Sequence, residues 1–225
     1  MSLLEGLLET ICPTRCAGCE LPGSLLCLSC RNAVASINPG YPCPRCAAPF
    51  GWLVCTECWN QELAFDATCA VGLLERPLSR AITLYKDGGE RRLCRVLGEL
   101  LWHAVESASP GFDALVPVPA SRAAVVRRGF DHVALIAQEV SRASGIPIVS
   151  ALEPGRARDQ RGLGRGDRRA NIGGSLSLVP GARVPASVLL LDDVMTTGAT
   201  ADAASRVLRS AGAEAIVVGV VARAW

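Results

Sequence analysis

The sequence predicts an α/β protein, a parallel sheet flanked by helices, with a small metal-binding module at its N-terminus. Three observations carry that prediction. Eight cysteines form four Cys-x-x-Cys pairs within residues 16–58. From residue 66 onward, short strands that are apolar at nearly every position alternate with amphipathic helices, the pattern of a sheet covered on both faces. One of those strands, residues 187–191, runs into two aspartates and a Thr/Gly turn before the next helix. The 225 residues suffice for one full-sized domain and a small module. The expected boundary assigns residues 1–65 to the module, with a short N-terminal helix, and residues 66–225 to the α/β domain.

Composition supports the division. Half the residues are hydrophobic and only 4% are aromatic, so the core is built from Ala, Val and Leu, which suits helices packed on a sheet. The formal net charge of +2 selects no class of partner. Residues 1–68 hold three basic and six acidic side chains against twenty and fifteen in the remainder, so the C-terminal part is the one equipped to meet an anion. No run of eighteen apolar residues occurs, so no membrane insertion is expected. Residues 1–11 place Leu3, Leu4, Leu7, Leu8 and Ile11 at helical spacing, with Glu5 and Glu9 between them. An acidic helix without a basic leader is not a signal peptide, and the expected location is the cytoplasm.

Eleven cysteines in a reducing compartment call for an explanation other than disulfides, and an odd number fits a disulfide framework poorly. The pairs are Cys16 and Cys19, Cys27 and Cys30, Cys43 and Cys46, and Cys55 and Cys58. In each, two thiolates reach one metal while turn N–H groups bond to sulfur, and two such knuckles complete a tetrahedral zinc site. Gly18 precedes Cys19, and Pro44 and Arg45 fill the turn between Cys43 and Cys46, as tight turns require. Four pairs make two all-cysteine zinc sites; iron–sulfur ligation and redox dithiols are the alternatives. The spacers of seven and eight residues favour pairing sequential knuckles, and an interleaved arrangement stays open. So short a region can hardly build its own core, so the metal stabilises it directly. Cys69 and Cys94 sit in apolar patterns and read as core residues.

In the α/β half, strands are expected over residues 67–74, 113–118, 146–151, 187–191 and 215–221, and helices over 93–105, 132–144 and 199–211. Gly145 and Gly212 end two of the helices. Ligands of such sheets bind at the carboxyl ends of the strands. There the chain reads Asp192-Asp193-Val194-Met195-Thr196-Thr197-Gly198-Ala199-Thr200. N–H groups of the turn and the helix N-terminus form an anion site, to which the threonine hydroxyls add donors. Two adjacent carboxylates would repel a phosphate in the same nest, so their partners are hydroxyls or a metal at its edge. A sugar phosphate meets both demands.

This segment resembles the phosphoribosyl-pyrophosphate motif of type I phosphoribosyltransferases. Tyr85-Lys86, residues 113–119, Arg128-Gly129-Phe130, Gln160 with Gly162-Leu163, and Arg168-Arg169-Ala170-Asn171 stand in the order seen in ComF-like proteins, which also carry a double zinc ribbon. The resemblance covers essentially the full length. It departs at Asp131-His132, where the family more usually has Asn-Gln. It implies a type I phosphoribosyltransferase-like sheet in which Asp192 and Asp193 form the catalytic pair and hold the ribose 2′- and 3′-hydroxyls. It places the 5′-phosphate on residues 196–200 and the pyrophosphate on Ser121, Arg122, Arg127 and Arg128, with magnesium bridging substrate oxygens. The glycine- and arginine-rich residues 156–171, with Arg158, Gln160, Arg168 and Asn171, correspond to the flexible loop that closes over the site. The implied ligand is phosphoribosyl pyrophosphate or a related sugar phosphate, and the acceptor is not named. The competing expectation is an accessory protein handling single-stranded DNA in uptake, recombination or repair, with the arginine loop on the phosphate backbone. His103 reads as a core or boundary residue, and His132 as either a helix N-terminal residue or a neighbour of the site.

Overall fold

A computed structural model describes residues 13–34, 42–49, 53–107, 111–155 and 176–225. The helix expected over residues 1–11 and the segment 156–171 lie outside them. The elements are α1 (Leu28–Asn32), β1 (Ala67–Leu73), α2 (Leu78–Lys86), α3 (Leu93–Glu106), β2 (Ala114–Pro117), α4 (Arg122–Arg128), α5 (His132–Ser144), β3 (Leu152–Pro154), β4 (Leu176–Leu178), β5 (Ser187–Met195), α6 (Ala199–Ser210) and β6 (Ala215–Arg223). Four strands form a fully parallel sheet in the order β1-β6-β5-β2, and β3 and β4 pair antiparallel apart from it.

The continuous apolar runs of the central strands follow from burial on both sides. Along β5, Val188 and Leu190 pack with Ala204 and Leu208 of α6, while Leu189 and Leu191 pack with Tyr85 of α2, Leu97 and Leu101 of α3, and Ile136 and Val140 of α5. Successive side chains of a strand point to opposite faces, so each residue serves one layer. Helix α5 starts and stops as its sequence dictates. The Asp131 carboxylate accepts from the N–H groups of Val133 and Ala134, and Gly145 closes the helix at φ 76°.

The short elements α1, β3 and β4 were not expected, and two longer helices and one strand also differ from expectation. Helix α2 buries Leu78, Ala81, Ile82 and Tyr85 at helical spacing, but its first turn has no side-chain cap to announce it. Helix α4 buries nothing and so shows no apolar periodicity; only Ser121 and Gly129 mark its ends. The strand expected over 146–151 is reduced to one parallel bridge between Leu115 and Ile148. Leu115 donates to Pro147 O at 2.9 Å and accepts from Val149 N at 2.8 Å. Neither Pro117 on β2 nor Pro147 has an N–H to continue the ladder.

The two cysteine groups pack on opposite faces of the sheet. Cys16, Cys30 and Leu26 cluster with Val96 of α3, and Arg80 of α2 donates to Ala17 O at 3.0 Å and pairs with Glu20 at 2.6 Å. Gly18 is required there, because a Cβ would lie 2.5 Å from Cys30 Sγ and 2.8 Å from Pro77 Cβ. Cys43, Cys46, Cys55 and Cys58 belong instead to the core on the α6 side, with Phe65, Val188 and Val218. The connecting residues are fastened to α6: Asp202 accepts from Ala64 N at 2.7 Å, Arg206 donates to Glu62 O at 2.7 Å, and Arg209 donates to Ala64 O at 3.0 Å. Among the described residues, no helix is long and apolar enough to cross a membrane.

Candidate functional site

At the carboxyl end of β5 the alternation of the strand carries straight into chemistry. Asp193 continues the side occupied by Leu189 and Leu191, so it meets α2 and α5 rather than α6. Asp193 as a residue is 6% exposed, and its carboxylate pairs with Lys86 at the end of α2. His132 Nε2 lies 3.4 Å away. His132 is itself oriented: Arg128 Nη1 lies 3.3 Å from its Nδ1, and the Tyr85 hydroxyl donates to its carbonyl at 2.6 Å. The neutral tautomer protonated at Nε2 satisfies both ring contacts. Arg128 Nη2 also lies 3.7 Å from Asp87.

These contacts separate the two carboxyls electrostatically. Burial pushes Asp193 up, but the hydrogen bond from His132 and the charge of Lys86 outweigh it and hold the group well below the usual carboxylate range. Asp192 keeps part of its surface open, yet burial of its carboxyl, and then the charge of Asp193, raise it to about 8. Neighbouring acids whose environments push their pKa values apart occur at functional sites. Asp192 Oδ1 accepts from Asp193 N, and Asp193 Oδ1 from Val194 N, both at 2.8 Å, so each side chain is fixed by the next peptide.

The residues enclose a crevice of about 590 Å³ lined by Thr83, Lys86, Asp87, Arg128, Asp193 and Thr196, among others. Beyond Thr196 the chain turns through Gly198 at φ 76° into α6, where Thr197 Oγ1 accepts from Ala199 N at 3.4 Å. Thr196, Thr197 and Thr200 are exposed at this turn. A left-handed residue is needed to make it, and glycine adopts that conformation without strain.

Of the residues expected in the site, Asp193, Val194, Thr196 and Arg128 line the crevice. Asp192, Met195, Thr197, Gly198, Ala199 and Thr200 follow or flank it along β5 and the first turn of α6. Ser121 caps α4 by accepting from Ala124 N at 3.2 Å, and Arg122 and Arg127 are exposed on that helix. Arg158, Gln160, Arg168 and Asn171 lie outside the described residues. His103 is exposed on α3, not packed in the core. His132, by contrast, is buried against Asp193. Thr83, Lys86 and Asp87 were missed as site residues by sequence reasoning, Lys86 entering only as part of the Tyr85-Lys86 motif; recognising α2 as a helix ending in Tyr85-Lys86 would have placed all three together.

The four-cysteine groups resolve the pairing of the knuckles. Cys16, Cys19, Cys27 and Cys30 bring their sulfurs within 4.8 Å of one another, and Cys43, Cys46, Cys55 and Cys58 do the same. Sequential knuckles therefore share a site. Tetrahedral zinc with bonds of about 2.3 Å puts sulfurs ~3.8 Å apart; Cys19 to Cys27 is 3.7 Å and Cys46 to Cys55 is 3.6 Å. Backbone donors prepare part of each set. Burial opposes ionisation of Cys16, but N–H groups of Cys27, Cys19 and Gly18 outweigh it and bring the thiol down to about 6. Burial pushes Cys30 up to about 12, so four thiolates coexist there only around a cation. Both groups could hold zinc.

Comparison with known proteins places these features. The chain matches no protein-family model. It is 33% identical to Competence protein F of Haemophilus influenzae over 213 residues, covering 88% of this chain and 90% of that one. It is 26% identical to Competence protein ComFC of Streptococcus pneumoniae over 195 residues, 85% and 84% of the two chains. Over 105 residues, 44% of this chain and 54% of the other, it is 37% identical to the adenine phosphoribosyltransferase of Clavibacter michiganensis. Among solved structures, the adenine phosphoribosyltransferase of Leishmania tarentolae aligns with a TM-score of 0.38 and 19% identity, covering 62% of this chain and 60% of that one. Identity of 33% sustained over nearly the whole of both sequences, together with the two four-cysteine groups and the parallel sheet, shows that the chain belongs to the ComF family of competence proteins.

Proposed function

We propose that the crevice binds phosphoribosyl pyrophosphate with magnesium, and that the protein transfers the phosphoribosyl group to an acceptor. In this reading residues 1–65 supply the module, with a structural zinc ion in each four-cysteine group, and residues 66–225 supply the transferase-type domain of a cytoplasmic protein. The observation that carries the reading is the buried, ionised Asp193 beside a threonine-rich helix N-terminus.

Asp192 and Asp193 accept hydrogen bonds from the ribose diol, and residues 196–200 hold the 5′-phosphate through backbone and hydroxyl donors. Lys86 and His132 keep Asp193 ionised, so it is an acceptor before substrate arrives. Ser121, Arg122, Arg127 and Arg128 face the pyrophosphate and neutralise the charge that builds on it as it leaves. The Asp192–Asp193 edge would hold magnesium together with substrate oxygens, and the ion would supply further neutralisation there. Positive charge develops on the sugar, and catalysis comes from positioning and from stabilising the leaving group. The family resemblance adds Arg158, Gln160, Arg168 and Asn171, outside the described residues, to those that would meet the substrate.

Isothermal calorimetry with phosphoribosyl pyrophosphate, with and without magnesium, tests the reading. The wild-type protein binds in a magnesium-dependent manner, and the double variant Asp192→Asn, Asp193→Asn, shown to be folded by circular dichroism, does not. Equal affinity in the double variant would falsify it. A second reading rests on the names of the relatives, which are competence proteins: an accessory role on single-stranded DNA. It requires salt-sensitive binding of an oligonucleotide that weakens when Arg156, Arg158 and Arg161 become alanine; no binding at low salt removes it.

A further inference from the structure

One charged side chain lies outside the lining of the crevice yet bonds to the backbone of Thr196, which lines it. Arg223, at the end of β6, is 2% exposed. Its guanidinium faces backbone carbonyls and a sulfur. Nε donates to Cys46 O at 3.0 Å, and Nη2 lies 3.8 Å from Cys46 Sγ. Nη1 donates to Met195 O at 3.3 Å, to Thr196 O at 2.5 Å and to Ala224 O. No aspartate or glutamate side chain among the described residues is paired with it. A buried guanidinium needs a compensating negative charge. Four thiolates around a divalent zinc carry a net charge of about −2, and Cys46 belongs to such a group.

We infer that Arg223 is a positioning residue that ties the second four-cysteine zinc site to the phosphate-binding turn. One edge of its planar fork neutralises the zinc thiolate cluster at Cys46, and the other fixes the carbonyls of Met195 and Thr196. Those carbonyls open the turn that leads through Gly198 into α6. Holding them turned toward Arg223 leaves the following N–H groups for an anion. The cluster on the α6 side of the sheet is thus part of the scaffold of the site, whereas the first cluster, on the α2 and α3 side, has no such link through Arg223. Lysine cannot replace the residue, because a single ammonium does not span two sites as a fork does. This assignment rests on the proposed binding of phosphoribosyl pyrophosphate and adds a route by which metal and ligand feel each other.

The test compares wild type, Arg223→Lys and Arg223→Met, all loaded with zinc and magnesium. Calorimetry reads phosphoribosyl pyrophosphate affinity, and a chromophoric chelator reads the two phases of zinc release. Arg223→Lys keeps a charge near Cys46, so it retains both zinc ions but binds the ligand about tenfold more weakly, as loss of a charge-assisted hydrogen bond implies. Arg223→Met loses affinity and also releases one zinc ion faster, the other at the wild-type rate. If Arg223→Met fails to fold, Arg223→Lys decides. Coupling is reciprocal at equilibrium, so saturating ligand tightens one of the two zinc sites of the wild type, read by equilibrium competition with the chelator, and leaves the other unchanged. Wild-type affinity in a folded Arg223→Lys protein, or zinc affinities indifferent to bound ligand, would overturn the inference. Failure of the wild type to bind at all would instead overturn the proposed function.

Discussion

Replacing Lys86 by methionine removes the one ammonium that faces Asp193 while keeping the length and apolar stem of the side chain. The pair is well shielded: the Lys86 side chain is 22% exposed and that of Asp193 is 8%. Breaking a buried pair by deleting one partner costs about 3–5 kcal/mol. His132 remains 3.4 Å from the same oxygen, so the loss falls at the lower end, about 3 kcal/mol. That is a large share of the roughly 5–15 kcal/mol by which a domain of this kind is stable. Urea denaturation of the unliganded, zinc-loaded protein measures it. Adding Asp193→Asn discharges the stranded carboxylate, so the double variant loses less than the sum of the singles by about 2 kcal/mol. Additivity within about 0.5 kcal/mol would mean the two groups do not interact and would refute the electrostatic account of the site. The pH dependence has a defined sign. Asp193 has a folded pKa below its unfolded value, so its contribution is full above about pH 4 and is lost as pH falls through the depressed folded value. In Lys86→Met the carboxyl protonates more readily, and the stability gap to wild type narrows as pH drops toward and below the ordinary carboxylate range.

Three further outcomes follow from the same structure. Asp192 has a folded pKa raised to about 8, so the folded state holds the extra proton between about pH 4 and pH 8 and wild-type stability declines over that window; Asp192→Asn flattens the decline in denaturation curves. Gly98 lies where α3 crosses α5, and a Cβ there would sit 2.6 Å from Glu139 Cβ and 3.3 Å from Ile136 O. Gly98→Ala therefore lowers stability by about 1–3 kcal/mol in spite of its better helix propensity, which a shifted urea midpoint reports. Cys55→Ser strikes the cluster embedded in the sheet core and lowers the melting temperature of the whole protein, whereas Cys19→Ser, at an exposed ligand, affects it less. Equal effects in calorimetric scans would contradict the asymmetric packing of the two groups.

The sequence by itself determined the parts that depend on local pattern. Cys-x-x-Cys spacing identified all eight cysteines of the two groups that could hold zinc, because a knuckle is closed by residues three apart. Apolar runs bounded by glycine and aspartate located β5, β6, α5 and α6, and the acids and threonines between 192 and 200 marked the turn. Only the tertiary structure decided what those parts face. Strand alternation sends Asp193 toward α2 and α5, so Lys86 and His132, 107 and 61 positions away in sequence, become its partners, and neither distance nor sign of that contact is encoded locally. Helix α4 escaped notice because it buries no face, and the strand expected over 146–151 shrank to a bridge because prolines on both sides remove the donors. Packing places the two four-cysteine clusters on opposite faces of the sheet, which no linear pattern announces. Burial of Arg223 between Cys46 and the turn after Met195 arises from that wrapping, and it is how a cluster near the start of the chain reaches the crevice formed near its end.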